Sequence, residues 1–389
     1  MTDRAMRILF STWPAHGHLL PLLPLLRAAQ RAGHDVVLAS GAEGAAEASR
    51  RGIAVWDVGP SRAEADAAFR ADPPDLGALP PDQRMPTVIR GMFGAAAPQR
   101  AAALVPLAEQ WRPDLVIHPI TELAGAIAAE RTGARHAVHG LGPLPAEAWE
   151  WFGARFGALC ADWDVPGLEK AIVERPYLDN NPPLLQSDAV AAFRNRLPLR
   201  PEAGEPAGPD ETLPWTAEQL DALPYDRTLH LTLGTLFHGA TGVFETALAG
   251  LRRLPVNVLV TVGPGTDPGR LGPQPPQVLV ADFAPHALLL PRCAGLVTQG
   301  GAGTIVAALC HGLPHLILPQ GADQFVNGAA AERAGVALVL PPPELTADAV
   351  EEAARRLLDD PALTAAAHEA RDEIAALPAP DAVLEMLTR

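Results

Sequence analysis

Short runs of apolar residues alternate with longer segments of mixed character through most of this chain, and the alternation predicts strands and helices in turn. RILFSTW (7–13) reads as a first strand, AHGHLLP as a connecting loop, LLPLLRAAQRAG as a helix stopped near Gly33, and HDVVLAS as a second, parallel strand. GIAVWDVG (52–59), PDLVIHPI (113–120) and ARHAVHG are further strands, with ALVPLAEQW and AGAIAAERTG as helices. Residues 60–100 give only weak signals. A stretch rich in Pro, Gly and acid, ending at Asp226, has no sustained period and reads as an interdomain linker. A second strand series follows in LHLTLGT (229–235), VNVLVTVG, QVLVADF (277–283), AGLVTQ, HLILP and VALVL. The expected organisation is α/β, with two doubly wound domains over 1–200 and 227–370 and a linker over 201–226. Residues 371–389 are expected to form a helix that packs back on the first domain.

Residues 291–324 concentrate the chemistry. AGLVTQ is broken by GGAG, TIVAALC has the length of a buried helix, Gly312 sits at its stop, and HLILP resumes as a strand. Such an order brings Gly300, Gly301, Gly303 and Thr304 to the carboxyl end of a parallel strand, where a helix N-terminus favours an anion. Asp323 and Gln324 follow the next strand, near the same end of the sheet. A phosphate cradle beside a carboxylate and an amide suits a nucleotide sugar; the alternative is that the glycines merely make a tight strand-to-helix turn. At the other end of the chain, the loop after the first strand carries His16, Gly17 and His18 where a dinucleotide fingerprint would lie. A neutral imidazole there can take a proton from a hydroxyl, and a pair of loop histidines can also be without chemistry. Trp149, Trp151, Phe152 and Trp163 cluster in a chain poor in aromatics, as core or as the lining of an apolar acceptor pocket.

Composition narrows the classes. The 389 residues are 48% hydrophobic and 19% charged, a globular balance, and the net charge of −15 argues against nucleic acid or an anionic membrane as partner. No apolar run is long enough to span a bilayer, and the N-terminus enters a strand with no apolar leader. Cys160, Cys293 and Cys310 are widely spaced and form no metal-like pair, so the expectation is a cytoplasmic protein with reduced cysteines and no metal. Lys170 is the only lysine, and its setting suits neither a P-loop nor a kinase. G-x-S-x-G and HExxH are absent.

The opening GHLLPLLPLLRAAQRAGHDV, then LTLGT, DFAPHALLL, GGAGTIVAALCHGLP and LPQGADQFVN, in this order and at these separations, resembles the bacterial nucleotide-sugar glycosyltransferases of GT-B fold that decorate polyketides and other antibiotics. The resemblance covers nearly the whole chain. It implies two facing Rossmann-like domains with the active site in the cleft between them, and metal-free inverting transfer of a sugar to a small apolar aglycone. There is no cofactor beyond the nucleotide sugar as co-substrate. It implies His18 as base, with His16 the poorer candidate, Gly234 and Thr235 near the diphosphate, Phe283 stacked near the nucleobase, and Asp323 and Gln324 on sugar hydroxyls.

Three positions depart from the pattern. Gln299 stands where the family usually has histidine before the double glycine, and an amide can donate to phosphate without adding charge. Pro119 stands where many relatives carry a carboxylate that orients the base, which leaves nearby Glu122 as a substitute. Ala307 replaces the glutamate that UDP-sugar relatives use on the ribose, which fits a dTDP-linked deoxysugar. The alternatives are a catalytically silent nucleotide-sugar-binding homologue that serves as partner or activator of another transferase, and a nucleotide-sugar epimerase of the same fold. A homodimeric state and an activator protein are left open.

Overall fold

The computed structural model describes residues 4–71, 75, 78, 83, 87–143, 153–204, 212–234 and 241–389. Contacts divide the chain into two compact units, one of residues 1–181, 187–200 and 378–389, the other of residues 182–186 and 201–377.

The first unit is built on a seven-stranded sheet in the order β3-β2-β1-β4-β5-β6-β7. Its strands are Arg7–Ser11 (β1), Asp35–Ser40 (β2), Val55–Asp57 (β3), Leu115–Pro119 (β4), Arg135–His139 (β5), Tyr177–Asp179 (β6) and Arg196–Pro198 (β7), paired in parallel. Parallel strands covered on both faces need apolar residues on both sides, which is why RILF and LVI are runs rather than alternations. Leu9 faces one core layer with Val37, Val116 and Val138, while Ile8 and Phe10 face the other with Leu38 and Ile117.

The sequence AHGHLLP, expected as a loop, is helical from His16: a turn at His16–Leu19 (α1) leads through Leu20–Leu22 into Leu23–Arg31 (α2). Helices Ala95–Trp111 (α3) and Leu123–Thr132 (α4) cover the sheet near β4. The short strands β6 and β7 are not signalled by hydropathy.

The second unit holds a six-stranded parallel sheet, order β10-β9-β8-β11-β12-β13. The strands are Thr228–Thr232 (β8), Asn257–Thr261 (β9), Val278–Ala281 (β10), Gly295–Thr298 (β11), His315–Ile317 (β12) and Ala337–Val339 (β13). Helix Ala302–Leu309 (α5) follows β11, and Gln324–Arg333 (α6) follows β12. Part of the segment read as linker belongs to this unit's core: Trp215 is buried with Leu259, Ala281, Ala284 and Leu289. Helix Pro361–Ala376 packs with Ile305, Leu309 and Ile317 through Ala367, Ala370 and Ile374. The last helix, Pro380–Thr388 (α7), instead joins the first unit, where Val383, Leu384 and Leu387 share a core with Leu22, Leu25 and Leu26 of the α2 region. No described helix is long and apolar enough to cross a membrane.

Candidate active site

Each sheet changes direction once. In the first, the chain runs β1-β2-β3 to one side and β4 onward to the other, so the exits of β1 and β4 flank a switch point; in the second, the exits of β8 and β11 do. Loops diverge there, and the carboxyl ends of the strands leave a crevice for ligands.

At the first switch point, β1 exits through Thr12 and Trp13 into α1, which carries His18. Nδ1 of His18 lies 3.4 Å from the hydroxyl of Thr121, on the loop that leaves β4. The Thr12 hydroxyl donates to the His18 carbonyl at 3.2 Å. Phe93 packs on the imidazole, with ring centroids 5.2 Å apart, and meets the buried Trp13 edge-on at 4.9 Å. Burial of the ring, with Arg62 and Arg100 adding to it, holds the His18 pKa down to about 3. One part of the residue stays open to solvent, and it is neutral near pH 7. His16 is exposed, 4.0 Å from Glu47, and its pKa is lowered by burial and by Arg51 and Arg50.

Glu122 does not take up the role expected of it. Both its oxygens accept from Nε of Arg100, at 2.9 and 3.1 Å, and the two side chains are 1% and 2% exposed. Arg100 also donates to the carbonyls of Val58 at 3.1 Å and Thr12 at 3.0 Å. A buried guanidinium requires its counterion, so the carboxylate is held away from the imidazole. The residue on His18 is Thr121. Of the aromatic cluster, Trp163 packs against the core that holds Phe156, Leu159 and Cys160; Trp149, Trp151 and Phe152 lie outside the described residues.

At the second switch point, Gly234 leaves β8 with φ +68°, and the Gln299 amide nitrogen occupies the space that a Cβ at 234 would take. Gln299 is buried, and its oxygen accepts from the Thr298 hydroxyl at 2.8 Å, which turns the nitrogen toward Gly234 and Gly301. Gly300 has φ +92°, and a Cβ there would come 2.7 Å from Ile317. Gly301 caps α5; the amides of Thr304 and Ile305 bond its carbonyl, whereas those of Gly301, Ala302 and Gly303 precede the intrahelical ladder and are presented at the helix start. Thr235 lies outside the described residues.

After β12, the Gln324 carbonyl oxygen accepts from the amides of Gln320 at 2.7 Å and Gly321 at 3.1 Å, so it latches this loop and leaves only its NH2 for a ligand. Asp323 is exposed, and one of its oxygens accepts from Asn327 at 2.9 Å. Asn327 also donates to the Gly300 carbonyl at 3.0 Å and so joins the two loops. Ala322 adopts φ +52°, a conformation costly for a residue with a Cβ and tolerated where a loop is over-determined. Phe283, 53% exposed, follows β10 with its ring uncovered. Ala307 is buried, in a core cluster that includes Leu290, Leu296 and Leu313. Thr121, Phe93, Arg100 and Asn327 are neighbours that reading the chain in order does not find; the turn of α1 and the helical spacing of Asp323 and Asn327 are their faint local traces.

The sequence matches two family models: Erythromycin biosynthesis protein CIII-like, N-terminal domain, over residues 86–160, and its C-terminal counterpart over residues 245–389. The elloramycin glycosyltransferase ElmGT of Streptomyces olivaceus is 31% identical over 387 residues, covering 96% of this chain and 95% of the relative. This chain belongs to the EryCIII-like family of bacterial natural-product glycosyltransferases. The 10-deoxymethynolide desosaminyltransferase of Streptomyces venezuelae is 28% identical, with 99% and 97% covered. The crystal structure of glycosyltransferase VinC in complex with dTDP superposes with a TM-score of 0.74 at 27% identity over 99% of each chain. The two sheets are accordingly the two Rossmann-like domains of the GT-B fold, and the protein is an enzyme, a glycosyltransferase.

Proposed function

We propose that this glycosyltransferase moves a deoxysugar from a dTDP-linked donor to a hydroxyl of a small apolar polyketide-like aglycone, with inversion at the anomeric carbon and His18 as general base. The observation that carries the reading is the occupancy of the two switch points: a neutral imidazole oriented by a hydroxyl at one, and free helix-start amides with a buried carboxamide at the other.

In this reading the diphosphate lies against the amides of Gly301 to Gly303, Thr304 and the Gln299 NH2, where donors set in advance stabilise the charge that develops on the leaving oxygen. Asp323 and the Gln324 NH2 take sugar hydroxyls, and exposed Phe283 offers a face to the base. Nδ1–H of His18 donates to Thr121, which leaves Nε2 free to receive the acceptor proton. The sequence has alanine and no carboxylate at 307, and the VinC structure holds dTDP. The names of the elloramycin and 10-deoxymethynolide transferases support a natural-product aglycone.

Calorimetric titration with dTDP and UDP tests the donor, and His18→Ala tests the base. Tighter binding of dTDP, and transfer lost by at least about 100-fold in the variant with dTDP affinity retained, are expected. Equal binding of the two nucleotides would remove the donor assignment, and unchanged turnover would remove His18.

A further inference from the structure

The two arginines that act on His18, Arg62 and Arg100, each hold a carboxylate. Glu122 takes Arg100, Asp66 takes Arg62 at 2.7 Å, and Glu47, which faces His16, takes Arg50 and Arg51. The side chain that meets His18 itself is a hydroxyl, Thr121. Among the described residues no carboxylate pairs with His18, while Arg62 and Arg100 oppose a charge on the ring. The threonine gives Nδ1 a neutral partner and brings no charge to balance an imidazolium. Burial acts in the same direction, and the imidazole pKa is about 3.

A base this weak is effective only toward a hydroxyl that gives up its proton readily, because the driving force for transfer is set by the difference between the two pKa values. A phenol, near 10 as in tyrosine, is far closer than an alcohol, which sits roughly with water at about 16. The surroundings of His18 point the same way: Phe93, only partly buried, lies against the imidazole and gives an acceptor ring an aromatic neighbour.

We infer that the hydroxyl glycosylated by this enzyme is phenolic or enolic, on an aromatic or conjugated aglycone, rather than an aliphatic alcohol. This inference rests on the base role proposed above and specifies what that base can act on. As the aryl oxygen bonds to the anomeric carbon, its proton passes to Nε2 of His18. The bond from the anomeric carbon to the diphosphate oxygen breaks, and its electron pair leaves with dTDP. A neutral hydroxyl and a neutral imidazole become glycoside and imidazolium, and the nucleotide gains the balancing negative charge.

The test uses two matched probes, 2-naphthol and 2-naphthalenemethanol, with dTDP-glucose and dTDP-rhamnose as donors, and the full-length wild type, Thr121→Asp and Thr121→Asn. The wild type should glycosylate the phenol at least about 100-fold faster than the alcohol. T121D supplies the missing anion and should narrow that ratio by about tenfold, whereas T121N, of the same shape and neutral, keeps it. Binding of dTDP, measured on each variant, reports that the chain is folded. Rates within threefold of one another in the wild type, or equal ratios in T121D and T121N, overturn the inference and leave the transferase reading intact. Transfer to neither probe from either donor by a wild type that binds dTDP overturns the reading and the inference together.

Discussion

At position 299 a carboxamide stands beside Gly234, held by the Thr298 hydroxyl so that its nitrogen points toward Gly301. A neutral donor at a phosphate adds a hydrogen bond and no charge, so Gln299→Ala should weaken dTDP by about tenfold and not abolish binding, consistent with about 1.5 kcal/mol for a bond to a charged group; calorimetry reads it directly. Gly300 is bound by geometry instead. With φ +92° and Ile317 2.7 Å from a would-be Cβ, Gly300→Ala should cost about 1–3 kcal/mol in denaturant unfolding, which a wild-type midpoint would refute. Both positions are legible in the sequence as a turn, because a glycine run between a strand and a helix marks a tight turn at a helix start. The residue on His18 is not. Thr121 lies 103 positions away and meets it only because β1 and β4 are adjacent in the sheet, a fact about strand order rather than about either segment. Glu122 illustrates the converse: proximity in sequence suggests a carboxylate for the base, and a buried arginine from α3 claims it.

The pair of Arg100 and Glu122 acts between elements. One guanidinium of α3 reaches the carbonyls at the exits of β1 and β3 and the carboxylate that begins α4, so four segments meet on one side chain. Removal of one partner leaves a buried charge without its complement, and Glu122→Ala or Arg100→Met should each destabilise the first unit by about 3–5 kcal/mol. The double variant, with the charge gone from both sides, should recover part of that loss; a strictly additive loss in chemical denaturation would argue against a coupled pair. Elements of this kind also mark what sequence periodicity can convey. Long apolar runs such as those of β1, β4 and β8 are visible, because burial on both faces demands them. β6 and β7, three residues each with β7 ending in Pro198, have too few positions to show a period and are stabilised by pairing with an existing edge. Trp215 hides in a stretch whose prolines and acids read as linker, though one aromatic is enough to close the core over β9 and β10.

For the molecule as a whole, acid is the informative condition. Burial lowers the pKa of His118 to about 3 and those of His139 and His315 to about 4, with His136 adding to the effect on His118. Each is neutral in the folded chain and takes up a proton on unfolding once the pH is below about 6.5. Protons therefore favour the unfolded state: stability is full above about pH 6.5 and declines as the pH falls toward 4, by an amount on the order of several kcal/mol. Urea midpoints at pH 7.5 and pH 5 should differ accordingly, and equal midpoints would show that these histidines are protonated in the folded protein.

The helix Pro380–Thr388 completes the core of the unit that opens the chain, with Val383, Leu384 and Leu387 set among Leu22, Leu25 and Leu26. On the ribosome this fixes an order of events. The strands of the first sheet are made early, but Val383, Leu384 and Leu387, which cover part of one face, are made only after the whole second unit. Until then that apolar face is open to chaperones, and a premature stop anywhere after the second unit leaves the first one unsealed. Expression of the two halves as separate genes would succeed only if the final helix were moved to the end of the first.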